Sequence, residues 1–313
     1  MIWAVVVLFG VFVSYAAHSL FKYTRMISNI FLGLVYSPDE DLSVLSVVGE
    51  KITIWDSGDH EIEAVAVQAH RARGIVVFCH ESGSNKMSWE KYAFFLPQKG
   101  FHVVAPDTDL PKQIEESNGL SQWPEEREVN RLEVVVRWAR RAYGNHLPVI
   151  LFGVSKGANL ALALSTREPS ILAVVTDGLF SMKEIFRDYI RKWGPILVRP
   201  NLFGERYPDW IVYLFAALGF WNSSRITKKK FVDVEKLLQK PHPPMLMIHG
   251  ELDDYIPESH QNHLEQIARR TTKKNKTKFN RLQIPQAKHN QSVALARGAY
   301  ERMVLDFLEK QLP

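Results

Sequence analysis

One serine of this 313-residue chain stands between two glycines, where a short apolar run meets a helical pattern. Residues 149–152 are typical of a buried strand, Gly153 and Gly157 flank Ser155, and an alanine-rich segment follows at once. A sharp strand-to-helix turn of this kind lifts the serine hydroxyl clear of the sheet and leaves no room for flanking side chains. We therefore predict that Ser155 is a nucleophile; the alternative is an ordinary turn serine.

A serine hydroxyl needs an imidazole to accept its proton and a carboxylate to orient that imidazole. Candidates for both groups follow apolar strand patterns further along the chain. The acid candidates are Asp253 and Asp254, in the segment 249–257, and Asp177, at the end of an earlier strand. The base candidate is His289, after the last strand, with a surface-loop histidine as the alternative.

The remaining pattern predicts the elements that would position these groups. Strands alternate with amphipathic helices, which favours a mostly parallel sheet covered on both faces. Antiparallel edge strands are expected at 51–55 and 61–68, a strand of the buried type at 74–79, and further strands at 101–105, 148–152, 171–176, 245–249 and 279–284. Helices are expected at 88–98, 124–143, 156–165 and 258–270, followed by a C-terminal helix.

Over residues 45–313 the chain resembles the serine hydrolases of α/β-hydrolase fold, in the branch of serine aminopeptidase-like and prolyl-oligopeptidase-like enzymes. In that branch a G-x-x-D-x-x-V-P segment carries the acid of the triad, and Gly250, Asp253, Ile256 and Pro257 match it. The resemblance therefore implies that Asp253 is the acid and His289 the base. Lys288 stands where the family usually has a glycine before that histidine.

The resemblance also implies an oxyanion hole built from two backbone amides. One belongs to Lys156, which follows the nucleophile, and the other to Ser82, with Glu81 as the alternative donor. The family usually has His-Gly in this loop, whereas the chain has His80 and Glu81. A carboxylate beside a site that stabilises an anion would impair it, so we expect the Glu81 side chain to point outward and His80 to brace the loop.

The N-terminus is the second distinctive segment. Residues 2–21 contain no Lys, Arg, Asp or Glu, and as a helix they would span about 30 Å, the thickness of a bilayer core. Lys22 and Arg25 follow, and the positive-inside rule then places the remaining chain on the cytoplasmic side. We predict a single-pass membrane anchor; the alternatives are a cleaved signal peptide and a buried amphipathic helix.

These features predict an anchor at 1–25, a connector at 26–43 and a catalytic domain at 44–313 with a cap insertion at about 179–240. The cap is rich in aromatic and apolar side chains, which would form its own core, line an acyl pocket or face a membrane. They are Phe203, Tyr207, Trp210, Ile211, Tyr213, Leu214, Phe215, Leu218, Phe220 and Trp221.

Composition limits the remaining options. The chain has a net charge of +5, with local clusters at residues 228–230 and 269–278 but no nucleic-acid-binding motif. Cys79 is the only cysteine, which excludes an intrachain disulfide and a zinc site built from cysteines, and we interpret the pair His260 and His263 as surface residues rather than metal ligands. We expect no nucleic-acid partner, no metal and no cofactor. The expected activity is hydrolysis of a small-molecule or lipid ester or thioester; the alternatives are an amide hydrolase of the serine aminopeptidase kind and a catalytically inactive scaffold.

Overall fold

The computed structural model describes residues 2–33, 48–56, 61–108, 122–199, 201, 204 and 206–312. The chain forms two compact units, one comprising Met1–Leu34 and Met182–Lys229 and the other Val35–Ser181 and Lys230–Pro313. We call them the helical unit and the sheet unit. The α/β-hydrolase fold predicted from the sequence is confirmed.

The sheet unit is built on an eight-stranded sheet of order β1-β2-β4-β3-β5-β6-β7-β8. Strand β2 pairs antiparallel with β1 and β4, and all the other pairs are parallel. The strands are β1 Glu50–Trp55, β2 Glu61–Val67, β3 Gly74–Cys79, β4 Phe101–Pro106, β5 Val149–Val154, β6 Ile171–Asp177, β7 Met245–Gly250 and β8 Phe279–Ile284.

The described residues also form nine α-helices. Along the chain they are α1 Ile2–Leu32, α2 Trp89–Tyr92, α3 Glu126–Tyr143, α4 Lys156–Ser165, α5 Met182–Leu197, α6 Asp209–Thr227, α7 Val234–Leu238, α8 Glu258–Asn275 and α9 Ser292–Glu309. Helices α1, α5 and α6 make up the helical unit, and the other six belong to the sheet unit.

The central strands are apolar throughout because both faces of the sheet are covered. Successive side chains point to opposite faces, so Val77 packs in a core with α3, α4, α7 and α8, while Phe78 packs in a second core with α2 and α9. The parallel strands end together at one edge, where the loops after β3, β5, β7 and β8 carry every predicted site residue.

Two predicted helices of the sheet unit, at 88–98 and from Pro124, differ from the structure. The helix predicted at 88–98 is reduced to α2, followed by turns and a short 3-10 segment at Pro97–Lys99, because Pro97 cannot continue an α-helix at that point. The helix predicted to begin at Pro124 begins at Glu126 instead, because Glu125 is its N-cap. The side chains of Glu125 and Glu128 each accept a hydrogen bond from the backbone N–H of the other, which is a capping box.

In the helical unit, α1 extends beyond the predicted anchor. Residues 26–32, expected to begin a connector, continue the helix because their apolar side chains pack against α5 and α6. Phe31 stacks on Phe186 with ring centroids 3.7 Å apart. The remainder of the predicted connector, residues 34–43, lies outside the described residues, as do residues 44–47 of the predicted catalytic domain and Phe203 of the cap.

Candidate active site

Ser155 lies between the end of β5 and the first residue of α4. Its backbone has φ 50° and ψ −114°, a conformation that a non-glycine residue rarely adopts, and its N–H donates to Asp177 O at 2.7 Å. A Cβ at Gly153 would lie 2.2 Å from Gly157 O, and one at Gly157 would lie 2.1 Å from Cys79 O. The flanking glycines are thus required by close backbone approach, as the sequence pattern indicated.

The loop after β8 brings His289 to this serine. The His289 Nε2 and Ser155 Oγ atoms are 3.1 Å apart, which is hydrogen-bond distance. Two backbone bonds join this loop to the loop after β7, from Glu251 N to Ile284 O and from Leu252 N to Ala287 O, each 2.9 Å long. The position of the imidazole is therefore set by the pairing of the last two parallel strands.

Asp253 completes the contact series. Its Oδ2 lies 2.7 Å from His289 Nδ1, and its Oδ1 accepts hydrogen bonds from Tyr255 N at 2.9 Å and Ile256 N at 2.8 Å. An ionised carboxylate that accepts at both oxygens holds Nδ1 as the protonated ring nitrogen, which leaves Nε2 to accept the serine proton.

The other two aspartates considered from the sequence occupy different environments. Asp254 is exposed. Asp177 is buried at the end of β6, where it accepts hydrogen bonds from Ser292 and Tyr300 at 3.1 Å each. Burial raises the pKa of Asp177 to about 6, against the lowering effect of those two bonds. Among the three, Asp253 is the one that contacts the imidazole.

The loop after β3 contains the second expected oxyanion donor, Ser82. His80 Nε2 accepts from Thr108 N at 3.4 Å, so Nδ1 carries the ring proton and donates to Glu81 O at 2.8 Å. Ser84 N donates to the same carbonyl at 3.3 Å. Because the Glu81–Ser82 peptide is planar and trans, fixing its carbonyl also fixes the opposite direction of the Ser82 N–H. His80 therefore braces the loop.

The Glu81 side chain does not point outward, contrary to expectation. It is buried and accepts hydrogen bonds from Ser88 Oγ at 2.9 Å and Tyr92 OH at 3.4 Å. Tyr92 OH also lies 3.3 Å from Asn290 O, in the loop of His289. The carboxylate thus connects the loop after β3 with Ser88 and with Tyr92 of α2, and no local sequence pattern pointed to these partners.

Lys156, the first residue of α4, contributes a backbone amide at the helix N-terminus, where N–H groups point out of the helix. Its side chain leads away into the protein. Lys156 Nζ lies 2.5 Å from Glu128 Oε1, and the two side chains are 2% and 0% exposed. The other oxygen of Glu128 accepts from Glu125 N at 2.8 Å, at the start of α3. Sequence reasoning missed this buried ion pair because its partners are 28 residues apart.

The family model described as the prolyl oligopeptidase family matches residues 87–313. A search of curated proteins found no match. Among solved structures, the chain is similar to an esterase of Pyrococcus furiosus, at 14% identity and TM-score 0.59 over 90% of this chain and 97% of that one.

Two further esterase structures are similar to this chain. A thermophilic esterase of Thermogutta terrifontis with propionate bound shares 16% identity at TM-score 0.58, over 84% of this chain and 94% of that one. A thermostable carboxyl esterase of Bacillus coagulans shares 13% identity at TM-score 0.59, over 85% of this chain and 100% of that one. At these identities the likeness establishes the fold. The family match spans most of the chain and includes the loops that carry Ser155, Asp253 and His289, and on that ground this protein belongs to the prolyl oligopeptidase family.

Proposed function

We propose that this chain is a membrane-anchored serine hydrolase that cleaves an ester or thioester of a small molecule or lipid through an acyl-enzyme. The observation that carries the proposal is the contact series from Ser155 Oγ to His289 Nε2, 3.1 Å, and from His289 Nδ1 to Asp253 Oδ2, 2.7 Å. Three side chains from distant parts of the sequence meet at the carboxyl edge of one sheet in the order that proton transfer requires.

In the proposed reaction, Ser155 Oγ attacks the carbonyl carbon while His289 Nε2 accepts the hydroxyl proton. The resulting imidazolium is stabilised by Asp253, and the carbonyl oxygen becomes an oxyanion that the amides of Lys156 and Ser82 bind. His289 then donates its proton to the leaving alcohol or thiol as the acyl-enzyme forms. A water molecule, deprotonated by His289, releases the acid and restores Ser155.

A fluorophosphonate probe tests the nucleophile. We expect the full-length chain to be labelled, Ser155→Ala to lose the label, and Ser170→Ala to keep it, because Ser170 is an exposed loop serine. If the folded wild type is not labelled while a known serine hydrolase in the same reaction is, the proposal fails in favour of a catalytically inactive scaffold.

The second candidate is an amide hydrolase, a peptidase of the serine aminopeptidase kind, and membership of the prolyl oligopeptidase family favours it. The esterase structures with similar folds favour ester cleavage. The two are separated by comparing kcat/KM for p-nitrophenyl butyrate, a butyryl thioester and alanyl p-nitroanilide, with Ser155→Ala as blank. We expect the ester or thioester to be preferred. A preference for the anilide would establish the peptidase instead.

The membrane part of the proposal rests on the helical unit. Residues 2–21 of α1 carry no charged side chain and are exposed almost throughout, and α1 is the one described helix that is long and apolar enough to cross a membrane, with mean hydropathy 2.0. The unit contains eleven Lys or Arg and four Asp or Glu, a net charge of +7, whereas the whole chain has +5. Anionic lipid surfaces attract such a unit.

Carbonate extraction tests the anchor. We expect the full-length chain to stay with the membrane pellet and a variant lacking residues 2–21 to be released. Release of the full-length chain would refute the anchor.

The orientation of the sheet unit is tested at Asn275, which stands in a glycosylation sequon of that unit. The other sequon considered, at Asn222, is unsuitable because the Asn222 Nδ2 atom already donates a hydrogen bond to Ser28 Oγ at 3.0 Å. Translation into microsomes should leave Asn275 unglycosylated if the sheet unit stays cytoplasmic.

A further inference from the structure

Helix α1 has two parts with different environments. Up to Phe21 its large apolar side chains are exposed, whereas beyond that point Tyr23, Thr24, Ser28 and Phe31 are buried within the helical unit. Ser28 Oγ lies 3.1 Å from Gly219 O, so α1 and α6 are in close contact here. The same continuous helix therefore serves as the proposed membrane span and then as a packed element of the helical unit.

A cavity of about 200 Å³ opens where these two parts meet. Its wall begins at Tyr15 and Ser19, runs along α1 to Phe31, and is completed by α5 and the first turns of α6. The side chains that close it are nearly all aliphatic or aromatic, among them Met26, Ile30, Phe186, Trp193, Leu197 and Phe215. A site of this size and polarity binds a hydrocarbon chain better than any polar ligand.

A shallow, open groove adjoins the cavity; it is lined, among the described residues, by α1 alone, and it shares Met26 and Ile30 with the cavity. The groove is lined by His18, Lys22, Arg25 and Asn29 in addition to apolar side chains. Lys22 and Arg25 are exposed. An apolar cavity and a cationic groove thus lie directly beside each other along α1.

We propose that this cavity holds one acyl chain of an anionic amphiphile whose head group lies in the groove against Lys22 and Arg25. The two halves of the site match the two halves of such a molecule. The ligand would come from the bilayer that surrounds residues 2–21, either as a free fatty acid or as an anionic phospholipid. The proposal concerns the helical unit alone and does not depend on the chemistry at Ser155.

Charge decides between this occupant and a second copy of the chain. Two helical units, each with a net charge of +7, would bring Lys22 and Arg25 of both copies close together at the groove, which electrostatic repulsion opposes. Lys192 and Arg199 are also exposed at this end of the unit, where Arg199 N donates to Tyr23 OH at 3.1 Å. An anionic head group neutralises these charges instead.

Photo-crosslinking in nanodiscs of phosphatidylcholine tests the proposal with the full-length chain. One arm contains palmitate with a diazirine on its chain, and the other contains phosphatidylglycerol with the same diazirine on one acyl chain. We expect label on α5 and on residues 23–31 of α1, found by peptide mapping. Labelling in the first arm alone identifies a free fatty acid, and labelling in the second identifies a bilayer lipid.

Matched variants make the result specific. Gly194→Leu directs a side chain into the cavity, where a Cβ would meet only the Tyr207 ring, 3.5 Å away. It should lower the α5 label roughly tenfold by displacing about two buried methylene groups. Gly10→Leu adds the same group to α1 where nothing lies within 4 Å, and should leave the label unchanged. Ser19→Leu fills the cavity from α1 and serves if Gly194→Leu does not fold.

Head-group recognition is tested separately. Lys22→Gln with Arg25→Gln should lower the preference for phosphatidylglycerol over a diazirine-bearing phosphatidylcholine, by roughly fivefold per charge at low salt. Lys273→Gln with Lys274→Gln, on α8, should leave that preference unchanged. Ser155→Ala should keep the wild-type labelling, which separates this proposal from the catalytic one. Label confined to residues 2–21, as a second copy filling the cavity would produce, or label insensitive to Gly194→Leu would overturn it.

Discussion

The ion pair of Lys156 and Glu128 offers the sharpest test of the structure, because it lies directly behind the proposed nucleophile. Glu128→Gln removes one charge while keeping the shape of the side chain and an oxygen that can accept from Glu125 N, at 2.8 Å in the wild type. It leaves the Lys156 ammonium, 2.5 Å away and 2% exposed, without the carboxylate that pairs with it. Breaking a buried pair in this way costs about 3–5 kcal/mol of unfolding free energy.

The expected loss of unfolding free energy comes from burying an unpaired charge rather than from losing the attraction within the pair. Replacing both partners removes the uncompensated charge, so Glu128→Gln with Lys156→Met should recover most of the loss, to within about 1 kcal/mol of wild type. The exposed pair of Arg297 and Glu301, 3.0 Å apart, is the control, and Glu301→Gln should cost less than about 1 kcal/mol.

The assay is urea unfolding of the full-length chain in detergent, followed by tryptophan fluorescence, with all variants compared at the same pH. With the single variant Lys156→Met included, the free energies of wild type, the two single variants and the double variant form a double-mutant cycle around one contact. The reasoning is refuted if Glu128→Gln costs no more than Glu301→Gln, or if the double variant is as unstable as Glu128→Gln. Either result would mean that Lys156 and Glu128 do not form a desolvated pair.

Three further predictions concern the candidate site. Asp253→Asn should lower kcat for ester hydrolysis by about 10⁴ because the imidazole loses the partner that sets its tautomer, whereas Asp254→Asn should stay near wild type in the same steady-state assay. For Asp177, a folded-state pKa of about 6 against an ordinary 3.8 means that the unfolded chain binds fewer protons between pH 4 and 6. Stability should therefore fall by about 3 kcal/mol as pH rises through that range, and Asp177→Asn should remove this dependence in urea titrations at several pH values. Gly153→Ala should cost at least about 3 kcal/mol, since its Cβ would lie 2.2 Å from a backbone oxygen, while Gly298→Ala, with nothing within 4 Å, should keep or raise the melting temperature.

These predictions would be contradicted by distinct results. Equal losses at Asp253 and Asp254 would mean that the orientation of the imidazole does not depend on the observed contact. An Asp177→Asn variant with the pH profile of the wild type would mean that another group titrates. A stable Gly153→Ala variant would show that the turn before Ser155 is looser than the structure indicates.

Much of the fold could be read from local patterns. The strands are short apolar or alternating runs, and the helices carry one apolar face, so each element reveals itself within a window of a few residues. The prediction of one helix over 88–98 was wrong because Pro97 interrupts the helical pattern. The apolar residues of this segment still pack in the core, but they do so mostly from turns. The predicted anchor ends too early, at residue 25, because the last turns of α1 are stabilised by contacts with α5 and α6, which no local pattern contains.

The sequence by itself determined the sharp turn at Ser155, the order of serine, acid and histidine, and an uncharged span long enough to cross a bilayer. Each depends on neighbouring residues: glycines that backbone contacts require, apolar runs that end at polar residues, and hydropathy summed along one helix. Only the tertiary structure decided which aspartate reaches His289, where the Glu81 carboxylate lies, and that Lys156 pairs with Glu128. Those outcomes depend on the directions of side chains from segments far apart in the chain, which are set only when the strands and helices pack.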